Sequence, residues 1–277
     1  MGVETFASKV ITITVDEHVA TLTLDRAEAR NAMGIDFWND LPRAMAALDH
    51  DDDVRVIVIA AKGPHFSVGL DLKEMSGLTS GSGSSEKSSA SRAADLRIEI
   101  KRLQYAITAV EACSKPVLAA IHGYCIGGGV DLITACDLRY ASSDAIFSVR
   151  EVKMAMVADV GSLQRLPSII GKGHLRELAY SGKDITAQRA AEIGLVNLVT
   201  EVGAVLEATQ ALAKEIAANP PLAVRGTKAV LATRDEHEIS SGLDYVATWN
   251  SAQLPSNDLI EAVTAFIEKR PPKFTGN

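Results

Sequence analysis

VRVIVIAAK (residues 54–62) is an almost unbroken apolar run, shorter than an ordinary helix and lacking the polar alternation of a strand with one wet face. Such a run fits a strand covered on both faces, as in parallel sheets packed between helices. KPVLAAIHG (115–123) repeats the pattern. Upstream, VITITVDEHVATLTLD (10–25) alternates apolar and polar residues on either side of a polar centre, which predicts a β-hairpin. Between hairpin and first run, the spacing predicts a helix over 34–48, with Phe37, Trp38, Leu41, Met45 and Leu48 as its apolar stripe. Strands alternating with helices define the α/β class.

From about Gly203 the pattern turns helical, VLEATQALAKEIAANPPLAV being interrupted at Pro220 and Pro221. The chain therefore divides into an α/β core over 1–202 and a helical C-terminal region over 203–277, the latter suited to contacts between subunits. GLTSGSGSSEKSSASR (77–92) has almost no bulky side chain and reads as a mobile surface loop, either a plain linker or a flap beside a ligand pocket. No internal repeat at a fixed period is visible.

The chain has 277 residues, 47% of them hydrophobic, and a net charge of −7, enough for a full core and unsuited to a nucleic-acid surface. Cys113, Cys125 and Cys136 are odd in number, without CxxC spacing, and read as buried thiols in a reducing compartment. No apolar run reaches membrane-spanning length, and the first residues lack a signal-peptide pattern. A cytoplasmic protein without membrane partners is the expectation.

GGGVDLITACD (127–137) places three glycines where a helix begins. Glycine is costly in a helix, so the run suggests close approach of something to the backbone. Free N–H groups at such an entrance suit an oxygen that becomes negative. HFSVGLDLKEM (65–75) follows the first apolar run and could supply a second donor. Two donors on one oxygen make an oxyanion hole, each contributing roughly 3 to 4 kcal/mol. No GK[ST] follows the glycines, which excludes a nucleotide P-loop, and no GxSxG marks a serine nucleophile. The six histidines, His18, His50, His65, His122, His174 and His237, are scattered singly and suggest no metal site. What is left is acids in apolar company: Asp131, Glu151 and Asp159. Such surroundings raise a carboxyl pKa and provide proton donors at neutral pH.

HFSVGLDLKEM, AAIHGYCIGGGVDLITACDLRYAS and LQRLPSIIGKGHLRELAYSGKDITAQRAAEIGLVN together resemble the crotonase family, the enoyl-CoA hydratase and isomerase superfamily. The likeness extends from DRAEARNAM (25–33) to FIEKRPPKF (266–274). It implies a superhelix of ββα units with a helical C-terminal region, assembled as a homotrimer or a dimer of trimers. It also implies an acyl-CoA thioester as substrate, CoA being part of that substrate and no separate cofactor or metal being needed. The N–H groups of Leu70 and Gly128 match the family's oxyanion hole. Ala27, Glu28, Ala29 and Arg30, with Asp71 and Leu72, match positions along the CoA path, Ala27 standing where the family usually has proline. Phe266 and Lys269 match positions that reach CoA from a neighbouring subunit or from the chain's own C-terminal segment.

The acids set the subclass. Hydratases of the family carry glutamates at the positions of Asp131 and Glu151 and a small uncharged residue at that of Asp159. The trio here is similar to the 3,5-dienoyl-CoA to 2,4-dienoyl-CoA isomerases, which move a proton from C2 to C6 and therefore want two carboxyl groups in opposite protonation states. Glu151 and Asp159 are the candidates for the two ends of the diene, in either order, with Asp131 tuning or orienting them. Two other readings compete. One is an enoyl-CoA hydratase in which Asp131 and Glu151 activate water; the other is a non-catalytic acyl-CoA-binding protein.

Overall fold

Alternation in the first segment closes a hairpin: β1 (Ile11–Asp16) pairs antiparallel with β2 (Val19–Leu24), and the chain reverses through Glu17 and His18, both at positive φ. A computed structural model describes residues 6–74, 87–233, 236–254 and 256–276 of the chain. Next comes α1 (Ile35–His50), whose five expected stripe residues are all buried. The two apolar runs become β3 (Val56–Ala61) and β4 (Val117–Ile121). With β6 (Leu138–Ser142) and β9 (Leu198–Thr200) they complete a six-stranded sheet of order β1-β2-β3-β4-β6-β9, parallel from β2 onward.

Burial on both faces accounts for the unbroken apolar runs. Ile57, Ile59, Val117, Ala119 and Ile121 share the main core with α1 and with α2 (Ser89–Glu111). Val56, Val58, Ala60, Leu118 and Ala120 meet α6 (Val205–Ala217) through Val205, Ala213 and Ala217 on the other face. A helix from beyond residue 203 thus forms one whole layer of the α/β core, and the packing crosses the boundary expected there.

A second sheet holds β5 (Tyr124–Ile126), β7 (Ile146–Ser148) and β8 (Ile185–Thr186). Strands of the two sheets alternate with helices: β4 and β5 lead to α3 (Gly128–Thr134), and β6 and β7 lead to α4 (Ser162–Ser181). These are the ββα units. Gly171, at φ 76°, breaks α4 into two stretches. Among the described residues the other α-helices are α5 (Ala187–Glu192), α7 (Pro221–Ala232), α8 (Glu236–Gln253) and α9 (Asn257–Glu268).

The loop expected over 77–92 lies largely outside the described residues. Its last part is helical, because the Ser88 hydroxyl accepts the Ser91 N–H and caps α2. Serine content that reads as linker is here a helix start.

Candidate active site

The segments after β2, β3 and β4 leave the sheet at the carboxyl ends of parallel strands, where α/β sheets bind ligands. Asn31 ties two of them together. Its Oδ1 accepts the Arg26 N–H, and its Nδ2 donates to the carbonyls of Lys62 and His65, each at 2.8 Å. Ala27–Ala29 is a single 3-10 turn, ended by Arg30 and Asn31 at positive φ. The Asp71 carboxylate accepts from Arg26 at 2.8 Å and from the N–H groups of Lys73 and Glu74. Burial pushes its pKa up, but the Glu74 N–H and the Arg26 guanidinium outweigh it and hold the carboxyl below its ordinary value. Asp71 therefore fastens the loop that carries Leu70 and the half-buried Leu72.

Leu70 and Gly128 come together through glycine. Gly69, at φ 83°, lies so close to the next segment that a Cβ on it would stand 2.8 Å from the Ile126 carbonyl and 3.0 Å from Gly128 N. A Cβ on Gly128 would stand 2.9 Å from Met33 Sδ and 3.8 Å from Leu70 N. The bridge between Met33 and Leu70 uses the Gly69 carbonyl and the Asp71 N–H, so the Leu70 N–H takes no part in it. Gly128 opens α3, where a first-turn N–H has no intrahelical partner. Two neighbouring peptide N–H groups therefore have no protein acceptor among the described residues.

The three acids converge beside them. Asp131 is 1% exposed on α3, and its Oδ1 accepts the N–H of Ser162, the first residue of α4, at 2.5 Å. It thereby satisfies an orphan donor of α4 and joins two helices. Burial raises its pKa to about 6, opposed by the Ser162 N–H and by the Arg165 guanidinium. Glu151 opens a 3-10 turn, Glu151–Met154, and its Oε2 is buried with no hydrogen-bond partner among the described residues. Its Oε1 would stand 3.2 Å from a Cβ on Gly127, so the first glycine makes room for this carboxyl. Burial, the charge of Asp131 and that of Asp159 raise Glu151 to about 8. Asp159 rises to about 6 through burial, held back by the hydrogen bond that Asn250 donates to Oδ2 at 2.7 Å.

Phe266 and Lys269 lie at the end of α9, the helix that packs on the 3-10 turn of Glu151. Phe266 is 65% exposed, Lys269 is the left-handed C-cap of that helix, and among the described residues no hydrogen bond joins either to the loops at 27–30 and 69–72. Conversely, sequence reasoning passed over Arg26, Asn31, Gln104, Arg165 and Asn250. Gln104 and Asn250 left a signal: each interrupts the buried apolar stripe of its helix, and a polar residue there must find a buried partner. Arg165 is 2% exposed and pairs with Glu111 at 2.8 Å, which puts a cation behind Asp131.

A parallel sheet whose carboxyl edge carries free peptide N–H groups beside three buried, mutually repelling carboxyl groups defines an enzyme that moves protons next to a carbonyl. Residues 14–277 match enoyl-CoA hydratase/isomerase, and the chain belongs to that family. The Delta(3,5)-Delta(2,4)-dienoyl-CoA isomerase, peroxisomal, of Arabidopsis thaliana is 47% identical over 267 residues, covering 96% of each chain. The mitochondrial protein of the same name from Mus musculus is 44% identical over 260 residues, 93% of this chain and 79% of that one. The crystal structure of an enoyl-CoA hydratase/isomerase from Pseudoalteromonas atlantica superposes with a TM-score of 0.84 at 25% identity, over 96% of this chain and all of that one. The expected fold, a crotonase-like α/β architecture with a helical C-terminal region, stands.

Proposed function

We propose that this protein isomerises 3,5-dienoyl-CoA to 2,4-dienoyl-CoA in the degradation of unsaturated fatty acyl chains. The observation that carries the reading is the third carboxyl group: Asp159 joins Asp131 and Glu151 in one buried cluster, where water activation needs only a pair. The names of the Arabidopsis and mouse relatives support it.

The N–H groups of Leu70 and Gly128 hold the thioester oxygen and acidify the C2 proton. Glu151, whose Oε1 lies against Gly127, takes the proton from C2. The electron pair spreads over the conjugated chain as a dienolate, its charge on the thioester oxygen. Asp159 delivers its proton to C6, the double bonds shift, and the oxygen returns to a carbonyl. Glu151 ends protonated and Asp159 ionised, so one proton returns to Asp159 before the next turnover. Raised to about 8 against about 6 for Asp159, Glu151 holds the cluster's proton at rest near neutral pH, which is the state in which a turnover ends; the form that reacts is the one in which this proton has passed to Asp159 and Glu151 is ionised. CoA is part of the substrate, and no separate cofactor enters these steps.

The same reading covers assembly and place. No residue of α7 is buried, and Leu222, Val230 and Leu231 stand out from it, which supports a homotrimer or dimer of trimers in which Phe266 and Lys269 reach CoA across an interface. Three buried free thiols support the cytoplasm, whereas the relatives' names carry peroxisomal and mitochondrial locations. Among the described residues no helix is long and apolar enough to cross a membrane.

The purified protein is assayed spectrophotometrically with a 3,5-dienoyl-CoA and, in parallel, with trans-2-enoyl-CoA in water. Rapid growth of 2,4-dienoyl absorbance with little hydration is expected. Fast hydration without a diene shift would make the protein a hydratase, and activity with neither would leave an acyl-CoA binder.

A further inference from the structure

Asp159 does not stand alone in its wall. Asn250, on α8, is 2% exposed and uses both amide protons, donating to the Val157 carbonyl at 2.9 Å and to Asp159 Oδ2 at 2.7 Å. The Val157 carbonyl cannot donate, so it fixes the amide the right way round: Nδ2, never Oδ1, faces the acid. From the other side Gln104, on α2, donates to the Asp159 carbonyl at 2.7 Å and to the Leu243 carbonyl at 2.9 Å. Main chain and side chain of Asp159 are thus held by two helices that carry none of the three acids.

We propose that Asn250 is the positioning residue of Asp159: it occupies Oδ2, leaves Oδ1 to carry the proton to C6, and stabilises the carboxylate that this transfer creates. The inference rests on the isomerase reading and deepens it. Among the described residues no other side chain donates to this carboxyl, so Oδ2 is the anchored oxygen and Oδ1 the working one. An amide N–H bonded to a carboxyl oxygen favours its ionised form, which makes Asp159 a stronger acid at the moment it acts. The charged groups that face Asp159 are Asp131 from α3, which raises it, and Glu151 from the 3-10 turn, which Asp159 in turn raises. Arg165 of α4 acts on Asp131, and α2 contributes the neutral Gln104. The Asn250 amide is the side-chain donor that opposes those acids at this carboxyl, with the residue's own N–H adding to it.

The test separates the two proton transfers. Wild-type protein and Asn250→Leu are compared in D₂O, C2 exchange being followed by NMR and isomerisation by 2,4-dienoyl absorbance, with kcat/KM measured across pH. Loss of the amide is expected to cut kcat for isomerisation about tenfold or more while KM stays within about twofold and C2 exchange falls less than about threefold. Because removing a donor raises the pKa of Asp159, the basic limb of the profile, where this acid loses its proton, moves up by roughly half to one pH unit. An equal fall in exchange and isomerisation, with both limbs unmoved, would make Asn250 a mere packing residue and overturn the proposal, as would a variant indistinguishable from wild type. Asn250→Ala, which opens space instead of filling it, is read the same way if the leucine variant does not fold. Should wild-type protein itself fail to isomerise the dienoyl-CoA, the functional reading falls first, and the two failures are told apart.

Discussion

Asp131, Glu151 and Asp159 sit in the same pocket yet do different work because their partners differ. Asp131 has a helix N-terminus and a cation behind it, Asp159 has one amide, and Glu151 Oε2 has none. Asp159→Asn keeps size and hydrogen bonding but carries no transferable acid. It is expected to lower dienoyl isomerisation at least about a thousandfold while acyl-CoA binding, measured by calorimetry, stays within about threefold. The raised pKa of Glu151 has a consequence for stability. A carboxyl raised from 4.5 to about 8 is neutral in the folded state and ionised in the unfolded state between those values, so folding stability falls as pH rises through that window. Glu151→Gln removes the titration, and its melting temperature relative to wild type is expected to climb from pH 5 to pH 8. A difference independent of pH would mean that Glu151 titrates normally in the fold. The three acids were legible in the sequence because charge in apolar company is conspicuous. Their partners were not, since the bond from Asn250 spans 91 residues and exists only once α8 has docked.

At the level of elements, period betrayed most of the structure. The alternating hairpin, the stripe of α1 and the two unbroken strands each announce their surroundings, because burial on one face or two leaves a different pattern. The start of α2 went unread because a cap and a linker share serine. The coupling between elements was equally hidden. Trp38 of α1 donates its indole N–H to the Met33 carbonyl at 3.0 Å, and the same carbonyl accepts the Asp71 N–H beside Leu70. A core helix thus braces the loop that presents an oxyanion donor. Trp38→Phe is expected to cost about 1 to 3 kcal/mol in chemical denaturation and to lower kcat two- to fivefold, well short of the roughly hundredfold loss that a full 1 Å misplacement can bring. Unchanged kcat in a destabilised variant would uncouple the helix from the loop.

For the molecule as a whole, the C-terminal quarter is a structural partner of the sheet. Cutting the chain after residue 202 would strip α6 from Val56, Val58, Leu118 and Ala120 and expose one entire face of the central strands. The truncated protein is expected to be insoluble or to lack a cooperative unfolding transition by circular dichroism, and a stable, folded fragment 1–202 would show that the layer is dispensable. The hold of α8 on Asp159 also bears on how such a fold can change its trade. An aspartate introduced at this place in a scaffold without the amide would be an unaimed, neutral carboxyl in an apolar wall. The acid and its holder lie on two separate elements, so the acid alone would bring a weak new chemistry and the amide a second, independent step that strengthens it.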